Sequence, residues 1–163
     1  MNPLHQDLRQ SLIDASKDAE IERINVGTTG NMSIRNDGGM LITPSGIPSR
    51  QLEPSTIVAM DLDGQWSGGV KPSSEWALHA AIYKARPEVR AVVHAHPDNC
   101  VALSCARIGL PAFHYMIAGF GGDDVRCSRY ATFGSPELAE VTVEALESRT
   151  ACLLANHGMV TVG

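Results

Sequence analysis

The chain has 163 residues, 44% of them hydrophobic and 19% charged, with a formal net charge of −5. This length suits one domain with its own core. The sequence has no basic block, which excludes a nucleic-acid-binding surface and a cationic surface that binds a membrane. The start carries no signal pattern and no apolar run could span a bilayer, so we predict a cytoplasmic protein with no membrane partner.

The first predicted element is a helix from Pro3 to about Ile24. Apolar residues recur there at intervals of three and four, which is typical of one buried helix face. These residues are Leu4, Leu8, Leu12, Ala15 and Ala19. The glycine-containing segment NVGTTGN, residues 25–31, then ends the helix.

Two hairpins are predicted next. The short strands 32–35 and 40–43 flank the turn sequence NDGG, a pattern typical of a β-hairpin. The segment IVAMDLDGQWSGG predicts a second hairpin that turns at Asp63 and Gly64.

The segment PSSEWALHAAIYKARP predicts the second helix. Ser73 or Ser74 is the expected N-cap, with Glu75 in the first turn, where a carboxylate favours the helix dipole. Trp76, Ala80 and Tyr83 form its apolar side, and Pro87 lies past its end.

The second half of the chain alternates strands with helices. Residues 89–95 predict a buried strand, Pro97 the first position of a helix, and residues 117–125 a glycine-rich loop. A helix over 135–148 begins with Ser135 as N-cap, and two strands flank residues 156–158. We therefore predict an α/β domain whose mixed, largely antiparallel sheet is covered by helices.

Four cysteines, at positions 100, 105, 127 and 152, form no CxxC pair or zinc-knuckle spacing. Their even number is weak support for disulfides without a secretion signal. We predict reduced cysteines that lie mostly in the core.

The histidines of VVHAHPDNC raise the possibility of a metal site. Strand alternation directs His94 and His96 to the same face, and His157 follows another apolar strand and precedes a glycine. A catalytic zinc commonly takes three protein ligands, although an HxH pair alone also suits a hydrogen-bonded surface pair. His5 and His79 lie on predicted helices without partners, and His114 precedes Tyr115 in a possible strand.

Three loops are rich in small hydrogen-bonding residues, namely residues 27–31, 43–46 and 71–75. Hydroxyls, freed backbone N–H groups and a helix N-terminus can together hold a phosphate without a basic surface. Each loop alone is more often an ordinary turn. No Walker or dinucleotide motif narrows the ligand.

Two further residues are candidates for proton transfer. Glu75 could serve as a metal ligand, a proton carrier or both, or could simply stabilise a helix start. Tyr115 could donate a proton, or lie in the core as most strand tyrosines do.

Together these motifs resemble the class II aldolase/adducin family, and within it the branch that cleaves L-fuculose 1-phosphate. The matching segments run in the family's order from about residue 25 to 160: GTTGNMSIR, GMLITPSGIP, PSSEW, AVVHAHP, LPAFHYMIA, RYATFGS and NHGMV.

The resemblance implies a three-layer α/β/α domain and a zinc site, with Mn²⁺ or Co²⁺ as other metals. Its implied ligands are His94, His96 and His157, with Glu75 as the fourth when no substrate is bound. It implies that Tyr115 protonates the aldehyde oxygen, and that the protein is a homotetramer with active sites at subunit interfaces. The phosphate pocket that it implies consists of Gly30, Asn31, Ser45, Gly46, Ser73 and Ser74.

The implied reaction is the reversible cleavage of a ketose 1-phosphate into dihydroxyacetone phosphate and an aldehyde such as L-lactaldehyde. Other activities of the family stay open: a pentulose-phosphate aldolase, an epimerase, a methylthioribulose-1-phosphate dehydratase, or a non-catalytic adducin-like module. Relatives usually continue beyond the position of Gly163. We therefore expect a single domain over residues 1–163 without the family's C-terminal helices and tail, with metal binding retained and catalysis reduced.

Overall fold

A single mixed sheet forms the centre of the protein in a computed structural model that describes residues 3–163, with side chains from residue 5 onward. Its strands are β1 (Asn31–Asn36), β2 (Gly39–Ile42), β3 (Val58–Met60), β4 (Ala91–Ala95), β5 (Arg126–Cys127), β6 (Ala151–Leu154) and β7 (Gly158–Val162). Their order is β3-β2-β1-β4-β7-β6-β5. Among these pairs β5 and β6 run parallel and the others antiparallel.

Helices cover both faces of this sheet. They are α1 (Pro3–Ile21), α2 (Trp76–Ala85), α3 (Asp98–Ala106) and α4 (Pro136–Ala145), with 3-10 helices at Ser49–Gln51 and Tyr115–Phe120. Met40 and Ile42 pack in the cluster that contains α2 and α4, whereas Leu41 packs with α1. Because neighbouring strand residues face opposite sides, the predicted α/β/α layering is confirmed. Among the described residues, no helix combines the length and apolar character needed to cross a bilayer.

The first predicted hairpin forms as expected, and the second forms only in part. β1 pairs with β2 across the NDGG turn, with Asn36 opposite Gly39. β3 pairs with β2, but the expected return strand is reduced to a single bridge between Met60 and Trp66. The Asp61 carboxylate accepts bonds from the backbone N–H groups of residues 63 and 65, and this tight turn leaves little room for a ladder.

The opening helix differs in two details from its prediction. It ends at Ile21 instead of about Ile24. Ala15 is exposed, and Ile13 is buried with Leu12 and Ala19, so the buried stripe is rotated relative to the expected one. The Leu4 side chain lies outside the described residues.

The start of α2 was predicted incorrectly. Glu75 is the N-cap residue, without a capping hydrogen bond from its side chain, and the helix begins at Trp76. The Ser73 hydroxyl accepts a bond from the Glu75 N–H, so a turn that precedes the helix occupies this serine. The Glu75 carboxylate is thereby free to point away from the helix.

The later helices follow their capping signals more closely. The Ser135 hydroxyl accepts a bond from Leu138 N–H and Pro136 begins α4, as expected, although the helix ends at Ala145. Pro97 is the N-cap of α3, where the sequence had suggested the first helical position.

Two other expectations were wrong. Tyr115 begins a 3-10 helix that extends into the predicted glycine-rich loop, and it lies in no strand. All four cysteines are free, but only Cys152 is buried and Cys105 is exposed, so they do not lie mostly in the core.

Candidate functional site

His94 and His96 lie where β4 ends, in the middle of the sheet. His94 is 0% exposed, and its Nδ1–H donates to the Met159 carbonyl on β7 at 2.9 Å. With Nδ1 engaged in this bond, Nε2 is the nitrogen of His94 that can serve as a ligand, and it lies 2.8 Å from Nε2 of His96. A hydrogen bond of this kind from the outer ring nitrogen is typical of metal-binding histidines.

His157 reaches the same point from the turn between β6 and β7. Its backbone N–H donates to Leu154 O at 3.0 Å and to Ser104 Oγ on α3 at 3.2 Å. The ring centroids of the three histidines lie 4.7 to 5.0 Å apart. One ligand nitrogen from each of these rings falls within 4.8 Å of the others, so this group could hold a metal ion.

Gly158 permits this approach of the two strands. A Cβ at this position would lie 2.6 Å from the Ala95 carbonyl oxygen and 2.7 Å from Cδ2 of His96. Any larger residue would separate β7 from the end of β4. The glycine after His157 is therefore a packing requirement of the histidine cluster.

Glu75 completes the cluster from the N-cap of α2. It is 5% exposed, with Oε2 3.2 Å from His94 Nε2 and Oε1 3.5 Å from His157 Nε2. Asn31 Nδ2 donates to Oε2 at 2.9 Å, whereas Oε1 is buried without a hydrogen-bond partner among the described residues. An unpartnered buried carboxylate oxygen is costly in a folded protein. This oxygen and the converging imidazole nitrogens match the donor set of a divalent cation.

The electrostatics of the site favour the protonation states that metal ligands need. Burial alone would raise the pKa of Glu75, but the hydrogen bonds and charges of His94, Asn31 and His157 outweigh burial and lower it to about 2. Burial, and then repulsion by His94 and His157, lowers the pKa of His96 to about 4. Burial and His94 likewise lower the pKa of His157. At neutral pH Glu75 is therefore ionised, and His96 and His157 are neutral, the states in which these side chains bind metal without first releasing protons.

The three predicted phosphate loops lie side by side. The Thr43 hydroxyl accepts a hydrogen bond from the Met32 N–H, and the Thr43 N–H donates to the Met32 carbonyl. The Ser45 N–H donates to the Lys71 carbonyl, and the Thr43 carbonyl accepts from the Ser73 N–H. Of the predicted phosphate-binding residues, Gly30 is half-buried, and three are exposed: Ser45, Gly46 and Ser74. The other two side chains are buried against Glu75: Asn31 donates to its carboxylate, and the Ser73 hydroxyl accepts its backbone N–H.

Asn25 connects the first of these loops to the histidines. Its Oδ1 accepts the His96 backbone N–H at 3.1 Å. Gly30 has φ +71°, and a Cβ there would lie within 2.5 Å of the Asn25 side chain. The glycine therefore permits both the turn and the close approach of this side chain.

Tyr115, the predicted proton donor, makes no ring contact or hydrogen bond with the histidine cluster among the described residues. Its side chain is 83% exposed, and its ring lies 4.6 Å from that of His114. Within the described part of the chain, no hydrogen bond joins it to the three histidines or Glu75. Phe133, which the sequence did not single out, has its ring centroid 6.4 Å from that of His157.

His79 was expected to have no partner, and this prediction was wrong. It is fully buried, with Nε2 2.5 Å from Asn31 Oδ1 and Nδ1 2.7 Å from Ser33 Oγ. Its position four residues after Glu75, one helical turn away, is the sequence signal that could have identified it. No comparable signal marks Asn25 or Ser104.

The fold and this cluster define an α/β/α domain with a candidate divalent-metal centre at the end of β4, the central strand of its sheet. Residues 10–163 match a family model described as the Class II Aldolase and Adducin N-terminal domain. The chain therefore belongs to the class II aldolase and adducin family. The relatives that follow are named aldolases, which confirms the enzyme class expected from the sequence.

Named relatives agree with this assignment. The chain is 49% identical to a 5-methylthioribulose-1-phosphate/5-deoxyribulose-1-phosphate aldolase of Rhodospirillum rubrum, covering 96% of this chain and 71% of that protein. It is 46% identical to an L-fuculose phosphate aldolase of Escherichia coli, covering 94% and 71%. A solved L-fuculose 1-phosphate aldolase superposes with a TM-score of 0.92 at 42% identity, covering 96% of this chain and 75% of the other.

Proposed function

We propose that this protein is a zinc-dependent aldolase that reversibly cleaves a ketose 1-phosphate into dihydroxyacetone phosphate and an aldehyde. L-Fuculose 1-phosphate, which would yield L-lactaldehyde, is the first substrate to test. The observation that carries the proposal is the buried Glu75, whose Oε1 faces His157 without a hydrogen-bond partner among the described residues. A carboxylate that served only to begin a helix would have no need of this position beside three histidines.

His94, His96, His157 and Glu75 would hold the metal. Three imidazoles and one carboxylate suit zinc, and Mn²⁺ or Co²⁺ are the other candidates. A bound divalent cation would stabilise the negative charge that develops on substrate oxygens as the carbon-carbon bond breaks. No lysine is needed to form a Schiff base.

Glu75 is proposed to carry the proton. Its two oxygens differ, because Asn31 holds Oε2 while Oε1 has no donor among the described residues. Glu75 would hold the metal only while no substrate is bound. In the direction of synthesis, Oε1, displaced from the metal by the substrate, would remove a proton from dihydroxyacetone phosphate, and in cleavage it would return that proton. The low pKa of Glu75, about 2, means that the carboxylate is ionised at neutral pH.

The adjacent loops are proposed to bind the phosphate group, through Gly30, Asn31, Ser45, Gly46, Ser73 and Ser74. Backbone N–H groups and serine hydroxyls would supply the hydrogen bonds, which suits a chain with a net charge of −5. Fixing the phosphate at one end of the substrate would hold its reacting carbons beside Glu75.

Tyr115 is proposed to protonate the aldehyde oxygen in the active site of a neighbouring subunit of a homotetramer. Its high exposure and its separation from the cluster of its own chain support a role across an interface. Phe113 and Met116 on the same segment are also exposed, and clustered exposed apolar side chains are typical of protein contacts.

Cleavage of a pentulose 1-phosphate is the second candidate. The observation that favours it is the 49% identity to a relative named for methylthioribulose and deoxyribulose phosphates. The two candidates differ in the aldehyde half of the substrate and share the dihydroxyacetone phosphate half. The same metal site and phosphate loops would serve both.

The test is to supply metal-loaded protein with L-fuculose 1-phosphate, 5-deoxyribulose 1-phosphate and 5-methylthioribulose 1-phosphate and to assay dihydroxyacetone phosphate. Cleavage of one substrate and its loss in Glu75→Gln are expected. Glu137→Gln is the matched control, because Glu137 is an exposed glutamate in the first turn of α4. Product from none of the three would refute the aldolase proposal, and an epimerised or dehydrated product would reassign the reaction.

A further inference from the structure

A buried chain of hydrogen bonds runs from the interior of α2 to the Glu75 carboxylate. Tyr83 OH lies 2.9 Å from Ser33 Oγ, which lies 2.7 Å from His79 Nδ1. His79 Nε2 lies 2.5 Å from Asn31 Oδ1, and Asn31 Nδ2 lies 2.9 Å from Glu75 Oε2. All five side chains are buried, so water cannot substitute for a missing partner.

The chemistry of the last link sets the direction of the whole chain. An ionised carboxylate only accepts hydrogen bonds, so the Asn31 amide must direct its NH₂ at Glu75 and its carbonyl at His79. His79 must then donate from Nε2. In a neutral ring Nδ1 is left as an acceptor, which the Ser33 hydroxyl fills while it accepts from Tyr83.

Burial keeps the two rings of this chain, His79 and Tyr83, neutral. It lowers the pKa of His79 to about 3, with repulsion by His94 as the second cause. Burial also raises the pKa of Tyr83 to about 12, so its hydroxyl keeps the proton that it donates. Both rings therefore hold one protonation state at neutral pH.

If every hydrogen bond ran in the opposite direction, donors would still meet acceptors from Ser33 to Asn31, but not between Asn31 and Glu75. If His79 carried its proton on Nδ1, it would donate to Ser33, and its Nε2 would accept from a reversed Asn31 amide. That amide would direct its carbonyl oxygen at the Glu75 carboxylate, and two acceptors would repel each other at 2.9 Å. The tautomer of His79 and the orientation of Asn31 are thus coupled.

We propose that His79 is a positioning residue, whose Nε2–H fixes the Asn31 amide so that its NH₂ holds Glu75 Oε2 and leaves Oε1 directed at the histidines. This role rests on the proposed function in one respect, because Glu75 is the proton carrier there. Among the described residues, the His79 ring makes its hydrogen bonds to Ser33 and Asn31 and none to the three histidines or Glu75, so it acts through Asn31.

The first test needs neither substrate nor metal. Imidazole nitrogen NMR of the ¹⁵N-histidine-labelled, metal-free protein at neutral pH reports which nitrogen of His79 carries the proton. The expected result is a neutral ring protonated at Nε2, with Nδ1 unprotonated. A ring protonated at Nδ1, or at both nitrogens, would overturn the proposal whatever reaction the protein catalyses.

The second test separates positioning from packing. His79→Phe keeps a ring in the core without any donor, whereas the amide of His79→Gln can still donate to Asn31. We expect His79→Phe to lower kcat and zinc affinity by about tenfold or more, with little change in KM, and His79→Gln to recover most of the loss. Ile82→Ala is the matched control, because it also removes a fully buried side chain of α2 but leaves the hydrogen-bonded chain intact.

The outcomes distinguish this proposal from the proposed function. If His79→Phe and His79→Gln lose zinc affinity equally, or neither loses it, the positioning role is wrong. If Ile82→Ala loses as much as His79→Phe, the effect is one of packing. If the wild type binds zinc and shows the expected tautomer but cleaves no ketose phosphate, the proposed function fails while the positioning of Glu75 stands.

Discussion

Replacing His157 with alanine removes one imidazole from the candidate metal centre and leaves the turn that carries it. The side chain is 15% exposed, and the turn is held by backbone bonds from residue 157 to Leu154 and Ser104, which alanine keeps. Binding of structural zinc is worth about 10 to 16 kcal/mol over four ligands, so one ligand accounts for about 3 kcal/mol. The variant should therefore bind zinc about 100-fold more weakly.

Thermal unfolding at a fixed zinc concentration measures this difference. At about 100 times the wild-type Kd, zinc should add about 2.7 kcal/mol to the wild type but only about 0.4 kcal/mol to His157→Ala. For a domain of this size the Tm should then rise by about 5 to 11 °C and by about 1 to 2 °C, respectively. His5→Ala, a histidine outside the cluster, is the control and should respond like the wild type. An equal rise in Tm for His157→Ala and the wild type would refute the proposed ligand set.

Three further predictions follow from particular contacts. Gly158→Ala should lower the free energy of unfolding by about 1 to 3 kcal/mol and weaken zinc binding, because its Cβ would overlap Ala95 and His96. Gly38→Ala is the control, because a Cβ there meets nothing within 4 Å, and it should change neither quantity. Urea unfolding measures the stability, and competition with a chelator measures the zinc affinity. The metal-free protein should lose stability on acidification, because the folded-state pKa of His79, about 3, lies below its unfolded value of 6.5. The stability contributed by His79 is fully present above pH 6.5 and decreases towards pH 3, by roughly 2 to 3 kcal/mol between pH 7 and 4.5. The free energy of unfolding of His79→Phe, measured in urea, should therefore depend less on pH than that of the wild type. An equal pH dependence in both proteins would contradict this prediction. Ser135→Ala should lower the free energy of unfolding by about 1 kcal/mol through loss of the α4 cap, with zinc affinity unchanged, and a stability equal to that of wild type would contradict the capping role.

The elements that the sequence predicted well carry their signals within a few residues. The NDGG turn between two short strands, and Ser135 followed by Pro136, each act through contacts inside the element itself. The start of α2 does not, because the Glu75 carboxylate faces one histidine from β4 and one from the turn between β6 and β7. Tertiary contacts, which local capping rules do not consider, therefore determine where Glu75 lies relative to the start of α2.

The same distinction applies within the site. Strand alternation was enough to bring His94 and His96 together, because they are two residues apart on one chain segment. Placing His157 beside them requires that β7 pairs with β4, an antiparallel pairing between segments more than 60 residues apart in which Ala95 lies opposite Met159. The glycine after His157 marked a strand end, but it could not identify the neighbouring strand.

His79 shows why a histidine on an apolar helix face cannot be judged from its own element. On α2 it is surrounded by Leu78, Ala80 and Ile82, a pattern that predicts only a core position. Its partners Ser33 and Asn31 lie on β1, more than 40 residues away, and they are buried because β1 pairs with β4 beside His94. A buried imidazole without partners would cost free energy, so its presence in the core predicts that polar partners exist, although not which ones. A polar residue in a predicted core face is therefore best treated as evidence for a buried network, and here that network ends at the carboxylate of the candidate active site.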